Sequence, residues 1–427
     1  MNDVASRGGS RMPGAPGHSE RGATTSKDAS PLLDDRQSVG FAELTAAFSH
    51  VRRASQADNP GILALLDETA MAAGNLALRY DRAPDFFRFL KCQGDTQVAV
   101  VSESDSGKIE MVSALSLRDG LHEGRPVRIG YLGDLRVAPR ASRAARVEWR
   151  KYYEAFLRTV GRNRDLGGCD FLYTAILKEN KAAIQALVRR DRGVRYEPIY
   201  EYSAVSMLAN RPLAYAARLR RPARTRGYRL ESLDPANLDE LARFLATASA
   251  GLDLGYRYPQ ELHFRLRAWP GFSLDRFLVA RDPAGRIVAA LAPWSPGEAR
   301  RLIVDRLPPS LRVLFRLLGI LGLHTVRESE ELNICYLTHQ AFDPELDSDQ
   351  RGRLFRAMVD ELFARGVFMP YHAVTFVDRP EAPLRPYLKG YVTHETEGLI
   401  YQVSHEGMAT GRGSAMGRPL ALEIATL

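Results

Sequence analysis

The sequence predicts an α/β protein of two tandem domains, each a mixed central sheet flanked by helices. Three observations predict it. An apolar, β-prone run from Ile129 to Val137 is closed by Pro139, which has no N–H to give to a sheet ladder, and a short loop then leads into a long helical run. A hairpin precedes that unit and a further strand and helix follow it. The order hairpin, strand, helix, strand then returns after residue 227. The repetition is one of element order, and no sequence repeat is read.

Residues 1–40 are rich in Gly, Ser, Pro, Arg and Asp without an apolar period, and read as a disordered tail; they contain no apolar core of a secretory signal. The first domain spans 41–210. A short strand is expected at 50–55. A helix follows from Pro60 to Leu78, with Ile62, Leu65, Leu66 and Met71 on one side. Another helix covers 85–91. Strand 96–104, the Ser106-Gly107 turn and strand 108–120 make a hairpin. A turn at 122–126 leads into the central strand. Its helix carries Val147, Tyr152, Ala155, Phe156 and Val160 near helical period. Strand 169–180, helix 181–190 and a strand pair in 196–208 complete the domain.

Residues 211–226 hold six arginines and no acid, and read as a basic linker. The second domain spans 227–404: strand 227–233, helix 235–249, hairpin 277–282/286–296, strand 331–343, helix 351–366 and strands 371–378 and 393–404. Residues 405–427 read as a C-terminal tail. No stretch of about 18 apolar residues occurs, so no membrane span is expected. Leu311 to Leu323 is too short to span and carries Arg312 and Arg316. It reads as a buried or interdomain helix, with a membrane-surface helix as the lesser alternative.

A net charge of +8 favours anionic ligands without choosing among them. Cys92, Cys169 and Cys335 are far apart and odd in number, which argues against a disulfide framework or a zinc site and fits a reducing, cytoplasmic setting. His324, His339, His372 and His394 lack metal-ligand spacing, so no metal is expected. Nucleic acid is not an expected partner, because Tyr215 alone interleaves the basic linker.

The strand–loop–helix unit can bind an anion. The first N–H groups of a helix have no partner within it and point into the preceding loop. Ser142 can cap, and Arg143, Arg146 and Arg150 fall on one face. A phosphate-bearing ligand is the expectation; the alternative is a solvated basic helix start. The segment resembles motif A of the GNAT acyltransferases, in which a strand ending V-x-P enters a loop Q/R-x-x-G-x-G/A that cradles the pyrophosphate of acetyl-CoA. YLGDLRVAPR at 131–140 matches the strand half. In the loop half, Ser142 stands at the Q/R position, Ala145 at the first Gly and Val147 at the second. Arg143 and Arg146 would supply charge where backbone approach is lost. Asn180 with Ala183 resembles motif B, N-x-x-A, with a plain helix N-cap as the alternative.

The resemblance implies an N-acetyltransferase using acetyl-CoA as co-substrate, without a metal, on an unknown small-molecule or peptide amine. Donor contacts are expected from Leu135, Arg136, Val137, Ser142, Arg143, Ala144, Ala145, Arg146 and Asn180. Asp134 would act as base through water; its alternative is an ion pair with Arg136 or Arg118. The family's tyrosine acid falls at Leu187 here, which leaves Tyr173 and Tyr196 as candidates. In the second domain the helix is preceded by Asp343, Glu345, Asp347 and Asp349, which repel phosphate. It reads as a degenerate copy that shapes the acceptor cleft, and LRPYLKGYV at 384–392 resembles the family's closing segment. Two alternatives stand beside this reading: an aminoacyl transferase of the FemAB kind, and a non-catalytic protein that binds acyl-CoA or a partner.

Overall fold

The fold is taken from a computed structural model that describes residues 39–69, 71–73, 76–188, 193–209, 227–320, 325–405 and 418–427. The expected basic linker, and the N-terminal tail up to residue 38, lie outside the described residues. The first half contains α1 (Phe41–Thr45), β1 (Val51–Arg53), α2 (Asn59–Glu68), β2 (Met71–Ala73), β3 (Leu76–Asp81), α3 (Phe86–Gln93), β4 (Thr96–Glu103), β5 (Ile109–His122), β6 (Arg125–Val137), α4 (Arg143–Thr159), β7 (Phe171–Leu177) and β8 (Val194–Leu208). The second contains β9 (Arg229–Ser232), α5 (Leu238–Ser249), α6 (Gln260–Ala268), β10 (Leu278–Arg281), β11 (Ile287–Trp294), β12 (Arg301–Arg306), α7 (Pro309–Ile320), β13 (Ile334–Phe342), α8 (Ser348–Ala364), β14 (Ala373–Asp378) and β15 (Thr393–His405).

Twelve of these strands form one sheet in the order β1-β4-β5-β6-β7-β15-β8-β14-β13-β11-β10-β9. Its only parallel pairs among the described strands are β6 with β7 and β13 with β14. A parallel pair needs a crossover, and α4 and α8 supply it. The two halves exchange their last strands. β15 pairs with β7 of the first half, and β8 pairs with β14 of the second. β8 and β15 then pair with each other over nearly their whole lengths. That pairing is why 196–208 is one long strand rather than a pair.

Helix α4 shows the local rule. Ala145, Trp149, Tyr152 and Phe156 recur at helical spacing and are all buried, and the Ser142 side chain caps the start. Helix α3 belongs to both halves: Phe89 and Cys92 pack with Leu241 of α5 and Leu262 of α6.

Several elements differ from expectation. The helix from Pro60 stops at Glu68, where the Thr69 hydroxyl donates back to Leu65 O at 2.8 Å. Beyond it, Met71–Ala73 and the residues from Leu76 on, expected as helix through Leu78, are strand. β3 pairs with β12 of the second half, from Arg301 opposite Asp81 onward, and with β2 in a separate three-stranded sheet. A distant partner outweighs the local helical period there. Of the helix expected at 181–190, the described residues are α-helical at Lys181–Ala183 and form a π turn at Ile184–Val188. Residues 418–427, expected within a tail, run into the body, where Leu420 and Ala425 are buried.

Candidate functional site

Strand β6 is paired with β7 only from Ile129 to Tyr131, yet it continues to Val137. The two strands part there and leave a notch along one edge of β6. The other edge of β6 carries a bulge. Val112 faces Arg136 and Ala114 faces Gly133, so β6 has one residue more than β5. Asp134 takes up the excess with φ of 51°, a left-handed conformation that Asp tolerates better than most residues. The bulge separates the backbone from its side chain. Leu135 in the notch is 36% exposed, whereas the Asp134 carboxylate is turned inward and only 8% exposed.

The notch ends at the N-terminus of α4. Here side chains build the loop that glycines would otherwise shape. Glu110 Oε2 accepts from Ser142 N at 3.0 Å, and Ser142 Oγ accepts from Ala145 N at 3.1 Å. Arg146 folds back: its Nε donates to Ala141 O at 3.1 Å and its Nη2 reaches Ala138 O and Pro139 O at 3.4 Å. Arg146 therefore braces the loop. Arg143 and Ala144 are exposed at the first turn, where N–H groups have no intrahelical acceptor. Val147 is exposed, so its bulk lies in solvent. Asn180 acts as a helix cap, its Oδ1 accepting from Ala183 N at 3.1 Å.

The second half repeats this geometry. β13 and β14 pair only from Ile334 to Tyr336, and β13 carries a bulge with His339 at φ of 53°. Matched at the bulges, Ile129, Tyr131, Leu132 and Pro139 stand where Ile334, Tyr336, Leu337 and Pro344 stand, Asp134 corresponds to His339, and the cap Ser142 corresponds to the cap Asp347. A short sequence repeat is therefore present, too sparse to see without the register. The second notch is filled by the chain itself. Glu423 Oε1 accepts the His339 N–H at 2.9 Å and lies 3.2 Å from Arg265 Nη1. A small cleft remains, walled in part by Ala421, Leu422 and Glu423.

Asp134 is paired, but with neither Arg136 nor Arg118. Its Oδ1 accepts from Arg82 Nη2 at 2.7 Å. Arg82 follows β3, in the region expected to be loop between two helices, and is 2% exposed. Burial lowers its pKa to about 10, Asp134 opposing and Arg300 adding to the fall. Arg82 and Arg300 both place their guanidinium carbons 4.1 Å from the Phe89 ring centre. Arg300 is held by main-chain oxygens, Ala425 O at 2.8 Å and Leu427 O. Sequence patterns did not reveal Arg82, Arg300 or Glu423, because each lies outside a periodic element and is assembled by tertiary contacts.

Tyr173 lies beside this cluster. Its ring is 5.2 Å from that of Tyr131, which feels the charge of Asp134. Tyr196 is not part of it; its hydroxyl meets that of Tyr153 on α4 at 2.6 Å. Burial raises the pKa of both phenols, Tyr196 to about 12, so both stay protonated at neutral pH. The three cysteines are buried, and burial pushes each thiol up to about 12, which leaves no ready thiolate. Among the described residues no group of three His, Cys, Asp or Glu is placed to hold a metal, and no helix is long and apolar enough to cross a membrane.

No protein-family model matches the chain, and no curated protein matches its sequence. Solved structures do match in fold. One is N-myristoyltransferase of Saccharomyces cerevisiae with bound myristoyl-CoA, at 13% identity and TM-score 0.53, covering 84% of this chain and 83% of that one. Another structure of the yeast enzyme, with myristoyl-CoA and inhibitors, matches at 12% identity and TM-score 0.51, over 86% and 87%. A GCN5-related glucosamine N-acetyltransferase region of a fungal multi-domain β-N-acetylglucosaminidase matches at 12% identity and TM-score 0.51, over 83% of this chain and 38% of that one.

Proposed function

For a chain with the GNAT fold in two tandem halves, we propose an acyl-CoA-dependent N-acyltransferase whose donor lies in the notch between β6 and β7. One observation carries the reading: the first notch is open and leads to a basic helix start, whereas the second is closed by Glu423 and leads to an acidic one. The pyrophosphate would meet the N–H groups of Arg143 and Ala144 with the side chains of Arg140 and Arg143, on a loop braced by Ser142 and Arg146. The thioester carbonyl would lie along Leu135, Arg136 and Val137, whose edge toward β7 has no partner among the described strands, so that backbone N–H groups polarise it.

The chemistry is then direct transfer. The amine nitrogen forms a bond to the thioester carbon, and the C–S bond breaks with its electron pair on sulfur. The amine proton passes through water to Asp134, and the CoA thiolate takes a proton from a phenol that burial keeps neutral. We assign that proton to Tyr173, whose ring lies 5.2 Å from that of Tyr131, rather than to Tyr196, whose hydroxyl meets that of Tyr153. Acetyl-CoA is the donor that the motif resemblance implies. The likeness to a structure with bound myristoyl-CoA makes a long-chain donor the necessary comparison.

Calorimetric titration of acetyl-CoA and myristoyl-CoA into the wild type and an Arg140→Glu/Arg143→Glu variant tests the site. At least tenfold weaker binding in the variant is expected, from about 1.4 kcal/mol of lost charge interaction. No binding of either donor to the wild type would refute the reading. The tie between Asp134 and Arg82 favours one second reading, a donor-binding protein without turnover. Binding with no thiol release on any amine would select it.

A further inference from the structure

Helix α7 follows β12 on the small sheet that the two halves share. Its inner side is packed. Phe315 lies on the cluster of Val304, Leu307 and Val326, which Leu78 and Leu332 extend. A charged clasp pins its start. Glu328 Oε1 accepts from Leu307 N at 2.8 Å and lies 3.1 Å from Arg312 Nη2, and Arg312 Nε donates to Leu307 O at 3.0 Å.

The outer side is apolar and faces solvent. Val313, Leu317 and Ile320 are 61%, 55% and 77% exposed. They stand at i, i+4 and i+7, so they form one stripe along the helix, opposite Phe315. Single exposed aliphatic residues are ordinary on a protein surface, but these three form a continuous row. From the sequence alone this segment reads first as a buried or interdomain helix. The exposed row reverses that order in favour of a surface-binding one.

Charge, shape and size point to one occupant. No acidic residue occurs between Leu307 and Val326. Arg312 and Arg316 are exposed, and each precedes a stripe residue by one position, so they flank the stripe on one side. Arginine stems cover apolar surface while their heads stay at its polar boundary. A stripe on the outside of one helix is a ridge, not a groove. α7 has 12 residues and is about 18 Å long, so its ridge falls far short of the roughly 800 Å² per partner that a stable dimer buries. A lipid surface requires neither a groove nor so large an area, and anionic headgroups complement the arginines.

We propose that α7 docks the protein on an anionic lipid surface. The helix lies in the plane of the interface, with Val313, Leu317 and Ile320 in the headgroup boundary and Arg316 against lipid phosphates. This goes beyond the transferase reading and does not rest on it, so donor titrations neither support nor overturn it.

Flotation of the full chain with vesicles tests the proposal. One set is phosphatidylcholine alone, and the other contains phosphatidylcholine and phosphatidylglycerol at about 3:1, both in about 0.15 M salt. The wild type is expected to bind the anionic vesicles about tenfold more tightly than the neutral ones. Val313→Gln/Leu317→Gln/Ile320→Gln should weaken that binding about tenfold or more, and Arg316→Glu about fivefold. All four positions are exposed, and circular dichroism with urea midpoints verifies that both variants are folded. Absence of wild-type binding to either vesicle, equal binding to both, or undiminished binding by the triple variant overturns the proposal. A wild type that is dimeric by sedimentation velocity, with a monomeric triple variant and no vesicle binding, overturns it in favour of a second copy on the stripe.

Discussion

Glu423 decides whether residues 418–427 are a tail or part of the fold. Its Oε1 accepts the N–H of His339, which the bulge in β13 leaves without a strand partner, and it stands 3.2 Å from Arg265. Arg265 keeps a second carboxylate, Glu261, at 2.7 Å, so losing Glu423 does not strand the guanidinium. Burial raises the pKa of Glu423, while Arg265 and the His339 N–H oppose the rise. In Glu423→Ala the buried N–H loses its acceptor, which costs about 1–3 kcal/mol, and the side-chain contacts add about 1 kcal/mol. A loss of about 2–4 kcal/mol is expected. Glu423→Gln keeps an acceptor for the N–H and should lose about half as much. Urea unfolding at pH 7, read by tryptophan fluorescence, measures both. Trp269 lies in the same cluster, its ring 5.7 Å from that of His339. A Glu423→Ala variant within 0.5 kcal/mol of wild type, with unchanged m-value, would refute the argument that this segment seals the second notch.

Two more predictions concern pH. Asp58 is bound by Arg52 through Nη2–Oδ1 at 2.6 Å and Nη1–Oδ2 at 2.8 Å, and this partner, with the N–H and hydroxyl of Ser55, lowers its pKa to about 2. Its stabilisation is present above the unfolded carboxylate value near 3.8 and is lost as pH falls toward 2, so Asp58→Asn should cost about 1–2 kcal/mol at pH 6, after discounting for the exposed Arg52, and the gap should close in that acid window. His339 is buried beside Arg265, and burial, with that charge, holds its pKa well below 6.5. The unfolded chain then takes up a proton that the folded chain refuses, so wild-type stability should fall as pH drops below 6.5 and the difference from His339→Gln should narrow; a gap constant between pH 7 and pH 5 would contradict this.

What could be read from sequence was local. The strand ending at Pro139, the Ser142 cap and the amphipathic α4 all depend on neighbours within a few residues, and each stands where its pattern put it. The hairpins β4–β5 and β10–β11 were legible for the same reason, through their Ser106-Gly107 and Pro283-Ala284-Gly285 turns. Long-range pairing was not legible. β3 alternates as a strand only because β12, more than two hundred residues away, lies beside it. Before the fold is known, its apolar residues serve a helical face equally well. Arg82 could not be found either, since a lone arginine before Ala-Pro carries no pattern. Its role appears only when the bulge turns Asp134 toward it.

The exchanged strands explain why the halves differ although their geometry repeats. In each half the parallel pair opens beyond a tyrosine, Tyr131 or Tyr336, and a bulge follows three residues later, at Asp134 or His339. β15 must cross to β7 in the first half, so the chain that follows it leaves from the middle of the sheet. Residues 418–427 reach the bulge at His339 and the side chain of Arg300. Glu423 takes the N–H of His339, while Ala425 and Leu427 offer only carbonyl oxygens to Arg300 beside the Asp134 cluster. A carboxylate closes one notch, and carbonyls that hold a guanidinium in place leave the other open. The acidic loop before α8 has the same consequence, because phosphate would meet Asp347 where the first half presents Ser142. Two independent features thus set the second notch apart, a carboxylate lying in it and an acidic helix start at its end, whereas the first is open and leads to a basic one.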